Sequence, residues 1–261
     1  MVVTMLIAKR THTPPTIDGT LTSDAWNDAV KSENFVDMAT GQPGLLETKT
    51  AVLWDDQNLY IGFWVQEPFP AAYQTERDSL IFRENDVEVF IDGGDCYYEL
   101  ELNALNTIYE VFFIWRDSYE YFDQEEFNVH KRKAYSFGGD FDRTAEHFWD
   151  GNHPRKTRWA FTDYDLPGLK TAVAVQGTLN DNTQRSQGWT CEISIPWQSL
   201  SLLANGRTLP PKDGDMWNLF LGRFQKIAIG EKEHQAAWCV TPHGRYDTHM
   251  PEKFTPVRFE V

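Results

Sequence analysis

The chain has 261 residues, 41% of them apolar and 14% aromatic, and a formal net charge of −15 at pH 7. That length accommodates one all-β domain with a sizeable core, and 10 Trp, 17 Phe and 10 Tyr leave rings to spare for stacking on a ligand. The acidic balance argues against nucleic acid and against an anionic membrane surface, leaving neutral ligands and cations.

In chain order, MVVTMLIAKR is apolar and then basic, the reverse of a leader's charge order, and no later apolar run approaches a membrane span. The sequence as it stands therefore carries no export signal, and the expected compartment is the cytoplasm unless a leader has been removed. At 14–30, Ser23 is placed to cap a short helix carrying Trp26. Residues 48–67 predict two strands around the turn residues Asp55, Asp56, Gln57 and Asn58, with Leu59, Ile61, Phe63 and Val65 on one side. A loop with a helical turn at 67–84 leads into the hairpin NDVEVFIDGGDCYYELELN, 85–103, and a strand at 107–117. From 118 to about 165 no period persists, and so long an excursion inside a compact domain tends to be functional. Strands return at 169–179, at 187–200 where Pro196 ends the run, and at 209–224, 236–244 and 254–261. About ten strands, short helices only at connections and no βαβ rhythm predict a single domain over 1–261, an antiparallel, jelly-roll-like β-sandwich. Cys96, Cys191 and Cys239 lack metal-ligand spacing and read as small buried hydrophobes.

The hairpin poses the sharpest functional question. With Gly93-Gly94 as a two-residue turn, Val87, Val89 and Ile91 share one face with Cys96, Tyr98 and Leu100. The other face then sets Phe90 against Tyr97, Glu88 against Glu99 and Asp86 against Glu101. Like charges directly opposite one another destabilise a sheet. On a solvated face that repulsion is weak. Facing a groove, the same carboxylates would accept charge-assisted hydrogen bonds from sugar hydroxyls while Phe82, Phe90 and Tyr97 cover the apolar face of the ring. A counter-charge such as Arg223, or a bound cation, is the third account. The seven histidines, His147 and His249 among them, show no paired zinc spacing, and neither a phosphate loop nor a nucleophile elbow is present.

IDGTLTSDAW, VLWDDQNLYIGFWV, ENDVEVFID, YYELELN, GWTCEISIPW, GDMWNLFLGR and HMPEKF occur in the order and spacing of the family 9 carbohydrate-binding modules, within the wider DOMON-like sandwich group, and the chain resembles that family from about Ile17 to its C-terminus. LPGLKTAVAVQGTLND, 166–181, is similar to the subgroup found as nearly whole proteins rather than as xylanase appendages. The resemblance implies a sandwich that binds sugars without cleaving them. In xylanase-linked members two tryptophans clamp a chain end while Glu, Arg and Asn take hydroxyls. Here the first tryptophan position holds Phe82, the glutamate is Glu88, the arginine and asparagine positions hold Glu101 and Asn103, and the second tryptophan position holds Thr248, with Tyr246 and His249 close by.

The expected function is non-catalytic binding of an oligo- or polysaccharide through Phe82, Glu88, Glu101 and Asn103, then Arg223, Trp238 and His249, in support of polysaccharide breakdown and in association with a glycoside hydrolase. Structural calcium is implied by the family, with Asp92, Asp95 and Asp55-Asp56 as candidate ligands, although ordinary turn chemistry uses the same residues. Two alternatives stand beside this reading. A hydrolase would use two of the carboxylates as acid and base, and an interaction scaffold would bind a protein instead of a glycan.

Overall fold

The computed structural model describes residues 5–138, 153–230 and 232–261. Fourteen strands carry the fold: β1 (Leu6–Arg10), β2 (Val36–Asp37), β3 (Thr48–Trp54), β4 (Asn58–Gln66), β5 (Asp86–Asp92), β6 (Cys96–Asn103), β7 (Ile108–Trp115), β8 (Ala134–Phe137), β9 (Arg158–Phe161), β10 (Lys170–Gln176), β11 (Gly188–Pro196), β12 (Met216–Ile229), β13 (Lys232–Cys239) and β14 (Thr255–Glu260). They run in the order β10-β11-β4-β3-β1-β14-β12-β5-β6-β7-β9-β8, with β13 also on β12 and β2 on β13. The ladder folds over on itself as a β-sandwich. Its main core packs Ile61 and Phe63 of β4 and Ile193 of β11 against Val89 of β5, Leu100 of β6 and Leu221 of β12. No helix among the described residues is long and apolar enough to cross a membrane.

Two corrections to the sequence expectation concern what a hairpin pattern cannot reveal. There are more than ten strands, because β8 and β9 lie inside the irregular 118–165 stretch and β1 lies in the N-terminal segment. The sandwich is also not wholly antiparallel: β1 pairs in parallel with both β3 and β14 and so joins the two layers. Ser23 precedes a 3-10 turn, Asp24–Asn27, and its hydroxyl accepts from Thr16 N–H at 3.0 Å instead of capping the turn. The three cysteines are free and buried.

The hairpin closes two residues out of the expected register. Glu88 faces Glu101, Phe90 faces Glu99, and Asp86 faces Asn103. The tight turn is centred on Gly94 and Asp95, with Gly94 at φ +76° and Gly93 N–H donating to Cys96 C=O at 2.9 Å. Asp95 is pinned there: its carbonyl accepts from Trp115 N–H at 3.1 Å, and its carboxylate accepts from Ser118 at 2.8 Å and Arg155 at 3.0 Å. A shift of two leaves every side chain on its expected face, since side chains alternate with a period of two. Val87, Val89 and Ile91 are fully buried in the main core, each worth about 1.5–3 kcal/mol. That burial outweighs the repulsion on the opposite face.

Candidate functional site

Residues directly opposite one another on neighbouring strands point to the same side, so the pairing of four strands writes out the floor of the site. Gly222 of β12, Glu88 of β5, Glu101 of β6 and Tyr109 of β7 form one row. Phe220, Phe90, Glu99 and Val111 form the next, and Phe224, Asp86 and Asn103 stand on the other side of the first. Asp86, Glu88, Glu99 and Glu101 are only 0%, 3%, 4% and 2% exposed. This removes the solvated-surface account of the acidic face.

Above the floor lies a cavity of about 600 Å³, with Glu88, Glu99 and Glu101 at its base and Phe82, Tyr109, Phe113, Phe137 and Phe224 among its walls. Phe82 meets Tyr109 edge-on with centroids 5.6 Å apart, and Phe113 meets Phe137 in the same way at 5.3 Å. His249 enters from the segment after β13, its ring 4.5 Å from that of Phe137 and its Nδ1 3.1 Å from Tyr97 Oη. The exposed Lys133 and Arg83 stand at the edge. Lys133, Tyr135, Phe137, Ala160 and Thr162 all come from the irregular 118–165 stretch, which thus builds one wall.

The electrostatics follow from burial. Desolvation raises the Asp86, Glu88 and Glu101 carboxyls well above the ordinary carboxylate range, and mutual repulsion adds to it. Burial pushes Glu99 up to about 7, while the adjacent Glu101 carboxyl and the charge of Arg158 draw it back. Burial and the same guanidinium hold His249 well below its usual value, so the imidazole is neutral near pH 7. Arg158 is itself fully buried, 4.7 Å over the Trp115 ring and 4.6 Å over that of Phe137. The site therefore offers hydrogen-bonding carboxyls that burial pushes toward the neutral form, with aromatic edges and faces around them.

Four of the sequence candidates meet here: Phe82, Glu88, Glu101 and His249 line the one cavity, joined by Thr248. The other three lie elsewhere. Asn103 is spent on the backbone below the floor, donating to Gln74 C=O at 2.9 Å and to Glu84 at 2.7 Å while accepting from Leu105 N–H at 3.0 Å and Thr107 N–H at 2.9 Å. Arg223 stands opposite Val87 and so points into the main core, where it donates to Thr48 Oγ1 at 2.8 Å and Gln225 Oε1 at 2.5 Å. Trp238 packs in that core beneath Arg223, 5.1 Å from its guanidinium carbon.

The turn aspartates are engaged as well. Asp92 accepts from Gly94 N–H at 2.8 Å. Asp55 accepts from the N–H groups of Gln57 and Asn58, each at 2.7 Å, and from Tyr60 Oη at 2.7 Å. These bonds are those of ordinary turns, and they supply no cluster of free oxygens for calcium.

Glu99 belongs to the acidic face read from the hairpin, whereas Tyr109, Phe113, Tyr135 and Phe137 were not among the sequence candidates. Alternation along 107–117 places Tyr109 and Phe113 on one face, which is the available signal for those two. Nothing local marks Tyr135 or Phe137, which reach the site through the pairing of β8 with β9. His147 and part of the 118–165 stretch lie outside the described residues.

A second cavity, about 750 Å³, is lined by Phe69, Tyr73, Glu67, Glu84, Asn85 and Gln225 among others. Its polar groups are already matched to one another. Asn85 Nδ2 donates to Glu67 at 2.5 Å, Glu84 accepts from Tyr73 N–H at 2.9 Å, and Asn85 Oδ1 accepts from Lys226 N–H at 2.8 Å. In the first cavity, by contrast, Glu88 Oε2, Glu99 Oε2 and Glu101 Oε2 are buried without a hydrogen-bond donor from the described residues.

Residues 17–137 match the model of the carbohydrate family 9 binding domain-like family. No curated protein sequence matches the chain. Among solved structures, a protein from Bacteroides uniformis provisionally described as carbohydrate-binding aligns over 99% of this chain and 100% of its own, at 14% identity and a TM-score of 0.59. A family 9 carbohydrate-binding module from Caldicellulosiruptor kristjanssonii in complex with cellotriose aligns over 98% of this chain and 94% of its own, at 13% identity and a TM-score of 0.53. A module of the same family and organism in complex with glucose aligns over 97% and 95%, at 13% identity and 0.51. Over residues 17–137 the sequence is thus similar to the carbohydrate family 9 binding domain-like family, and over nearly all of its length the chain shares the fold of these solved structures.

Proposed function

We propose that the cavity over Glu88, Glu99 and Glu101 binds a glycan, by equilibrium recognition and without breaking a bond. The observation that carries this reading is the combination on one floor of buried carboxyl oxygens that lack protein donors with a cavity of about 600 Å³ walled by aromatic rings. Sugar hydroxyls are the donors such oxygens lack, and a pyranose presents the apolar C–H face that Phe82 and Tyr109 would cover. The neighbouring folds solved with cellotriose and glucose support a saccharide as the ligand class. A glycan-degrading enzyme is the partner class the family resemblance implies.

Glycan-array screening followed by affinity electrophoresis tests the proposal. The wild-type chain should be retarded by at least one polysaccharide and release no reducing sugar from it. Phe82→Ala, which removes a wall, and Glu88→Gln, which replaces a carboxyl oxygen by an amide donor, should each weaken retention. The loss expected for Glu88→Gln is about twofold to tenfold, from the roughly 0.5–1.5 kcal/mol of a hydrogen bond to a neutral group. Retention unaltered in both variants would place the glycan elsewhere. Release of reducing sugar abolished by Glu88→Gln would make the protein a hydrolase.

A further inference from the structure

The floor gathers three carboxyl groups whose full ionisation a neutral sugar cannot balance. One oxygen from each of Asp86, Glu88 and Glu101 lies within 4.8 Å of the other two, and all three residues are buried. Asp86 Oδ2, Glu88 Oε2 and Glu101 Oε2 are each fully enclosed and receive no hydrogen bond from the described residues. Arg223 draws Asp86 down as a charge, but its hydrogen bonds go to other groups. Arg223 projects from the opposite face of the sheet toward Thr48, Gln225 and Glu67. Arg158 sits over Trp115 and Phe137 on the Glu99 side, and Lys133 and Arg83 are exposed at the cavity edge.

We propose that Asp86, Glu88 and Glu101 form a binding site for one hard divalent cation of the calcium class at the base of the cavity. Calcium accepts six to eight oxygens at 2.3–2.6 Å, so the donors around it lie within about 5 Å of one another, which is the spacing of these three carboxylates. A divalent ion offsets two of the three negative charges, whereas a single ammonium group offsets one and a neutral polyol none. Three carboxylates do not complete such a coordination shell. Glu88 and Glu101 line the cavity while Asp86 lies beneath it, so the remaining positions open toward the space where the glycan is placed. Water fills them in the free protein, and two neighbouring sugar hydroxyls can replace that water. This last step rests on the proposed glycan site; the metal site itself does not. The place is distinct from the Asp92–Asp95 and Asp55–Asp56 turns, where Asp92 and Asp55 accept from turn N–H groups, Asp95 from Ser118 and Arg155, and Asp56 from Arg10.

The test uses the whole chain, freed of metal by chelation and dialysis, with no sugar present. Calcium, magnesium and manganese chlorides are titrated separately by calorimetry, and thermal unfolding is followed in parallel. One equivalent of at least one ion should bind and raise Tm. Asp86→Asn and Glu101→Gln, near-isosteric changes that each remove a buried repulsion, should stay folded and each weaken that binding at least tenfold, with the Tm rise lost. Absence of heat and of any Tm shift with all three ions overturns the site, as does binding that both variants retain. If metal binding fails while Phe82→Ala still weakens glycan retention, the cation is refuted and the glycan site stands. If metal binds and no glycan does, the reverse holds.

Discussion

Arg223→Met should lower the free energy of unfolding by about 3–5 kcal/mol and leave glycan affinity of the folded protein unchanged. Arg223 is fully buried on the core side of β12, where it donates to Thr48 and Gln225 and lies 3.9 Å from Glu67. Burial draws its guanidinium down to about 10, with Glu67 pulling the other way, so it remains charged at neutral pH. Glu67 is equally enclosed and already accepts from Trp189 Nε1 at 2.6 Å and Asn85 Nδ2 at 2.5 Å. Methionine fills much of the volume but leaves Glu67 as a buried carboxylate facing only neutral donors, and breaking a buried pair from one side costs in this range. Chemical denaturation checks the size of the effect. A loss below about 1 kcal/mol together with abolished glycan binding would return Arg223 to the ligand site.

Asn103→Ala should be nearly as severe, costing about 3 kcal/mol or more, again with binding retained. Its carboxamide is the hub of four bonds that tie the end of β6 to Gln74, Glu84 and the turn leading into β7. Alanine leaves Thr107 N–H and Leu105 N–H without their acceptor, while Gln74 C=O keeps the Thr107 hydroxyl and Glu84 keeps Tyr73 N–H. Each buried group so abandoned costs about 1–3 kcal/mol, reduced where water can enter. Denaturant titration compared with affinity electrophoresis separates the two roles. A stable Asn103→Ala protein that no longer binds would contradict the assignment.

These two residues show where legibility in the sequence stopped. The alternation in 85–103 identified the apolar and acidic faces, and the pairing shift of two left both faces intact. It could not say which carboxylates meet, because the turn is set by Trp115, Ser118 and Arg155, which are distant in sequence. Arg223 and Glu88 are both polar residues in apolar strands, yet only the pairing of β12 with β5 reveals that they point to opposite sides. Asn103 shares the acidic face, but its local hydrogen bonds turn it into a strand-end fastener. β1 escaped notice because parallel pairing leaves no turn signal between partners. β8 and β9 escaped it because strands of four residues hold too little alternation to be seen. The aromatic wall they bring to the cavity was therefore hidden.

A crystal structure of the chain with the oligosaccharide it retains best, grown with calcium present, tests the binding site most directly. The sugar should occupy the cavity between Phe82 and His249, with hydroxyls on Glu88, Glu99 or Glu101 and a ring face against Phe82 or Tyr109. A sugar seated against Phe69 and Tyr73 in the second cavity, or on the outside of the sandwich with the acidic floor empty, would contradict it.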